Sequence, residues 1–194
     1  MPETFFPAKS ADGGHDHERM VRDRQIISVL VKNRPGLLAQ VANLFSARGF
    51  NIDSLTVSET EDSRYSRMTI AVRGEPAVVE AIRKGLSRFV DVISVLDFTG
   101  VERVERDLAL VKIGANSSNR HEIFQLVEVF QGKIVDIGAK DCIAEITGPA
   151  PKIDAFINVV RPYGIKEIAR TGRVAIARGP KMEGIPSKTF VPGM

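Results

Sequence analysis

Tryptophan is absent from this 194-residue chain, and tyrosine occurs only twice. A platform for single-stranded nucleic acid needs aromatic faces on which bases can stack, so that function is poorly supplied. The net charge of +3 is too small to imply nucleic acid by itself. Cysteine occurs once, as Cys142, which excludes an intrachain disulfide and fits the reducing cytoplasm as the expected location. Flanked by strand-like residues, Cys142 is expected to be a buried, unreactive thiol. No apolar run approaches membrane-spanning length and no signal peptide opens the chain, so a membrane is not expected either. Histidine is scarce. His15 and His17 fall in a polar tail and His121 stands alone at a helix start, so no metal site is expected. Missing too are HExxH, CxxC, Gly-x-Ser-x-Gly and a phosphate-cradling glycine loop, and no catalytic constellation takes their place.

What is present is ordinary globular material, 43% hydrophobic and 26% charged. It is organised around a stretch from Ile26 to Ser58. Ile26 to Val31 is a short apolar run rich in β-branched residues, which predicts a buried strand. Arg34-Pro35-Gly36 breaks it. Leu37, Leu38, Val41, Ala42, Leu44 and Phe45 then recur at helical spacing, with Pro35 suited to the first helical position and Gly49 placed to stop the helix. Ile52, Leu55 and Val57 belong to the next strand. The first N–H groups of such a helix lack intrahelical partners and sit at the positive end of its dipole. Beside Gly36 a carboxylate could approach the backbone, and the amides of Asn33 and Asn51 could be brought near that helix end. As turn and loop formers, the same residues also have a purely structural explanation.

Further along, Tyr65–Val72 predicts a strand, Pro76–Phe89 a helix and Val92–Phe98 a fourth strand. The order βαββαβ is that of a ferredoxin-like unit, an antiparallel sheet with two helices on one face. The order then repeats, with strands at Leu108–Ile113, Ile134–Ile137, Cys142–Thr147 and Ile165–Arg170. Helices are expected around Ile123–Phe130, ended by Gly132, and Ile153–Val160, and Val174–Ala177 finishes the unit. The fold class is therefore α+β, two tandem ferredoxin-like units. Expected boundaries are a flexible polar tail at 1–23, a first domain at 24–100, a second at 101–178 and a flexible tail at 179–194. Glu102–Asp107 reads as a charged connection. Ile26 and Leu30 make the first strand apolar on both faces, which calls for cover from a second copy or from the chain's own second unit.

Several motifs then carry a resemblance. Asn33-Arg34-Pro35-Gly36-Leu37-Leu38 followed by Gly49-Phe50-Asn51-Ile52-Asp53-Ser54-Leu55-Thr56-Val57 resembles an amino-acid-binding ACT domain, and specifically that of the small regulatory subunits of acetolactate synthase (acetohydroxyacid synthase). Ser66-Arg67-Met68-Thr69-Ile70, Val104-Glu105-Arg106-Asp107-Leu108, Gly132-Lys133-Ile134-Val135-Asp136 and Ala169-Arg170-Thr171-Gly172-Arg173-Val174-Ala175 match that family in family order. The resemblance spans residues 24 to 180. It implies that the first unit is an ACT domain and that the chemistry belongs to a large catalytic subunit. That partner uses thiamine diphosphate, Mg²⁺ and FAD on the path to branched-chain amino acids, while this chain would hold no cofactor of its own. It further implies a homodimer that activates the catalytic subunit and confers feedback inhibition by valine or another branched-chain amino acid. The implied effector-binding residues are Asn33, Gly36, Leu37, Leu38, Asn51 and Ile52, at a site where ACT domains of two chains meet.

Other readings fit less well. A free-standing ACT-type sensor of a different enzyme is the alternative. A metal-responsive transcription factor would need a DNA-binding segment and a His/Cys cluster. An acylphosphatase-like enzyme would need the N–H that Pro35 removes from its anion cradle.

Overall fold

The structure is a computed structural model that describes residues 24–74 and 76–179. The tails expected at 1–23 and 179–194, Gly179 apart, lie outside the described residues.

The first unit contains β1 (Arg24–Lys32), α1 (Leu37–Ala47), β2 (Ile52–Glu59), β3 (Tyr65–Arg73), α2 (Pro76–Leu86) and β4 (Val92–Asp97). Its strands are ordered β2-β3-β1-β4, with every adjacent pair antiparallel. Ile27, Val29 and Val31 alternate onto the helix side of β1. There they pack with Met68, Ile70 and Val72 of β3, with Leu37, Val41 and Phe45 of α1, and with Val79, Ile82 and Leu86 of α2, all fully buried. α1 ends as its sequence requires. Gly49 takes φ +67°, its N–H bonds Ser46 O, and the Phe50 N–H bonds Phe45 O, a Schellman cap.

The second unit repeats the plan with β5 (Arg103–Gly114), α3 (Arg120–Val129), β6 (Lys133–Ile137), β7 (Asp141–Gly148), α4 (Ala150–Val160) and β8 (Ile165–Arg170), in the order β6-β7-β5-β8. Ala109, Val111 and Ile113 of β5 face Cys142, Ala144 and Ile146 of β7 and the buried side chains of both helices. Cys142 is wholly buried, and desolvation pushes its thiol pKa up. The residue that turns left-handed after α3 is Gln131 (φ 52°), not the expected Gly132. Gly132 is needed for a different reason. A Cβ there would collide with Ile146 and lie 2.8 Å from Glu145 O.

One expectation is corrected at the junction. Arg103–Arg106, read as part of a charged connection, is the first third of β5 and pairs with β9 (Val174–Ala177). Its charges are matched in place. Arg103 Nε donates to Glu105 at 2.9 Å, Arg103 Nη1 donates to Phe98 O at 3.0 Å, and the buried Asp107 pairs with Arg170. β9 also answers the question raised by the two apolar faces of β1. Ile26 is covered by Phe98 and by Ala175 of this same chain, with Leu96, Val101 and Ala177 around them, so that end of the outer face needs no second copy. Leu30, further along, is half-buried.

The two cap residues of α3 give a paired expectation. Gly132→Ala should destabilise the protein by about 1–3 kcal/mol through overpacking. Gln131→Gly should stabilise it by about 0.5–1 kcal/mol, because the relieved left-handed strain exceeds the added chain entropy. Urea midpoints of the two variants should move in opposite directions.

Candidate functional site

Arg34, Pro35 and Gly36 carry the chain from β1 into α1. Gly36 takes φ +84°, where a side chain would be strained, and nothing lies within 4 Å of where its Cβ would be. The glycine is therefore required by the turn, and the space above its backbone is open. Pro35 precedes Gly36 in that turn and so stands two residues ahead of the first helical residue, Leu37. α1 begins with no side-chain cap and no acidic residue in its first turn. The Leu37 N–H reaches Arg34 O at 3.4 Å and the Gln40 N–H bonds Gly36 O at 3.1 Å. The N–H groups of Leu38 and Ala39 find no backbone acceptor among the described residues. Free donors at the positive end of a helix dipole form a point that receives a carboxylate.

Asn33 stands beside this turn. Its Nδ2 donates to Glu59 Oε1 at 2.9 Å and to Ser63 O at 3.1 Å, and its own N–H donates to Arg64 O at 2.7 Å. The amide thus ties the end of β1 to the β2–β3 turn. That turn is further ordered by Arg64, whose hydrogen bonds hold the Asp62 carboxyl below its usual range. Leu37 points into the core and is 3% exposed, so only its backbone faces the helix mouth, whereas Leu38 is 46% exposed.

Asn51 and Ile52 are elsewhere. β1 and β2 run parallel with β3 between them, so the end of one lies opposite the start of the other. Glu59 pairs with Ser66 beside Val31, whereas Ile52 pairs with Val72 beside Gln25. Eight residues of β2 at about 3.3 Å each separate the two positions by about 25 Å. Within one chain, then, Asn33, Gly36 and Leu38 come together and Asn51 does not join them. Strand direction keeps the two amides apart within one chain. Asn51 Nδ2 instead lies 3.5 Å from Asp53 Oδ1, and Ile52 is half-buried against the first core.

A feature not anticipated from the sequence lies at that same far end. A cavity of about 370 Å³ opens between the start of β2 and the loop Thr171–Arg173 that joins β8 to β9. The only local signal was Gly172. The two walls lie more than a hundred residues apart, and no periodicity connects them. Among the described residues there is no cluster of three His, Cys, Asp or Glu side chains able to hold a metal. None of the described helices is long and apolar enough to cross a membrane.

Comparison with known proteins follows this division. Residues 27–94 match a family described as the AHAS small subunit-like ACT domain, and residues 106–179 match the small subunit of acetolactate synthase. A probable acetolactate synthase small subunit of Archaeoglobus fulgidus is 48% identical over 158 residues, which cover 81% of this chain and 99% of that one. Its counterpart in Methanothermobacter thermautotrophicus is 47% identical over 161 residues, covering 82% and 96%. The crystal structure of the acetolactate synthase small subunit from Thermotoga maritima superposes with a TM-score of 0.74 at 43% identity, covering 81% of this chain and 99% of that one.

The structural role of Asn33 can be measured without any ligand. Asn33→Ala removes two hydrogen bonds to the β2–β3 turn and should cost about 1 kcal/mol in urea denaturation of the ligand-free protein. An asparagine that served only to touch a ligand would leave that stability unchanged.

Proposed function

This chain belongs to the family of acetolactate synthase small subunits, and from that premise we propose that it activates a large catalytic subunit and makes it inhibitable by valine. The chemistry, with its thiamine diphosphate, Mg²⁺ and FAD, is assigned to that larger partner. The observation that carries the effector reading is the mouth of α1. Gly36 is left-handed and open to solvent, and behind it lies a helix start with neither a capping side chain nor an acidic residue. An α-amino acid presents the carboxylate that such a mouth receives. A branched apolar side chain can then rest on exposed Leu38.

Strand direction tells how the remaining residues would contribute. β2 is an edge strand of its sheet. If the β2 edges of two copies pair across a two-fold axis perpendicular to the sheet, they run antiparallel and keep all helices on one face. The start of one β2 then lies beside the end of the other. Asn51 and Ile52 of a second copy are thereby brought to Asn33, Gly36 and Leu38 of the first. The site is split between copies, so effector binding reports on how the copies are arranged.

Inhibition follows only if the effector binds the less active arrangement more tightly, and such couplings are typically about 1–3 kcal/mol. Gly36→Asp sets a negative side chain in the carboxylate's place, and aspartate tolerates the left-handed backbone better than most residues. In an acetolactate assay of the reconstituted complex, this variant should still activate the catalytic subunit and should no longer confer inhibition by valine. Normal valine inhibition of that variant would refute the assignment.

A further inference from the structure

We propose that the cavity between β2 and the Thr171–Arg173 loop is a second ligand site, which takes a small monocarboxylate bearing one further polar oxygen. Its volume, about 370 Å³, lies within the range of roughly 300–1,000 Å³ usual for small-molecule sites. Two groups in it have unused bonding capacity. Ser54 Oγ is buried and has no hydrogen-bond partner, an arrangement that is unfavourable unless a ligand or water completes it. Arg73 donates through Nε to Asp53 at 2.8 Å, and its two terminal nitrogens have no partner among the described residues. That free edge of a guanidinium matches a carboxylate through two parallel hydrogen bonds.

The walls explain why the ligand carries a single charge. Arg73, Arg170 and Arg173 line the cavity with Asp53 and Asp107, a net of one positive charge that one carboxylate balances and a doubly charged phosphate exceeds. Arg170 and Asp107 are already committed to each other. Arg170 donates through Nε and Nη2 to Asp107 and through Nη1 to Asp154 at 2.7 Å. It braces the wall. Gly172 brings the far wall close. It takes φ +83°, and a Cβ there would lie 3.1 Å from both Ser54 Cβ and Thr56 Oγ1. The Thr56 hydroxyl in turn donates to Thr171 O at 3.1 Å, which fixes the loop against β2. Within one chain this site stands at the opposite end of β2 from the mouth of α1, with Ser54 and Thr56 on the sheet face away from the first core, and it does not depend on the effector reading.

The test is calorimetric titration of the full chain with acetate, lactate, pyruvate and inorganic phosphate, for wild type, Ser54→Ala, Arg73→Gln and Gly36→Asp. Lactate or pyruvate should bind more tightly than acetate or phosphate. Arg73→Gln should weaken that binding at least about tenfold, as expected for loss of a two-pronged charged contact. Ser54→Ala should weaken it about threefold to tenfold while leaving the thermal midpoint unchanged or higher, because it deletes a hydroxyl that has no partner in the free protein. Gly36→Asp should bind like wild type. The proposal is overturned by the absence of heat with every monocarboxylate, by phosphate binding as well as they do, or by an unchanged affinity in both cavity variants. Loss of binding in Gly36→Asp would also overturn it, since the heat would then belong to the mouth of α1.

Discussion

The structure depends on one strand that builds the second core and carries the ion pairs of the seam on the same side. Along β5, Ala109, Val111 and Ile113 build the second core, and before them, at equal parity, Arg103 lies over Phe98 of the first unit and Glu105 pairs across to Ala175. A polar stretch tolerates this only because each charge meets a partner where it is buried. Asp107 has Arg170, Glu105 has Arg103, and the Arg103 guanidinium lies over the Phe98 ring with its centre 6.0 Å away. With these matched, Ile26, Phe98 and Ala175 close into a small apolar cluster shared by both units. The two units thus meet in an apolar contact and are not held by the linking residues alone.

That junction gives the molecule a polarity. One end of the first sheet carries the bare helix start and the turn that Asn33 fastens. The other end carries the cavity and the seam with β9. β2 runs the full distance between them and, through Thr56, touches the second unit directly. Any rearrangement of β2 against another chain has to be accommodated by Thr171 and Gly172.

Much of this was legible in the residues. Alternating Ile27, Val29 and Val31, the helical spacing of Val41 and Phe45, and the repetition of the whole order follow from local periodicity, which any single stretch displays. The parts that were not legible involve partners far away in the chain. Glu102–Asp107 resembles a linker because its strand partner is some seventy residues downstream and the charges of Arg103, Glu105 and Asp107 are met by ion pairs. Asn33 and Asn51 look alike in the sequence because both adjoin strand ends. Only the pairing of β1 and β2 to the same β3 reveals that these ends are opposite. Gly132 resembles a helix stop because glycine so often is one, whereas its small size serves the packing against Ile146.

The passage from β8 to β9 has a consequence for how closely the two units approach. Arg170 pairs with Ala109 and Val174 with Arg106, so the three residues Thr171, Gly172 and Arg173 on one side are matched by two, Asp107 and Leu108, on the other. That one surplus residue inverts which side chains of β9 look inward. Without it, Val174 and Ile176 would press on Ile26 and Phe98; with it, Ala175 and Ala177 do. The loop at Gly172 therefore works as a spacer gauge, presenting the two smallest side chains of the strand to the seam and leaving the bulky pair outside, where Ile176 is 72% exposed.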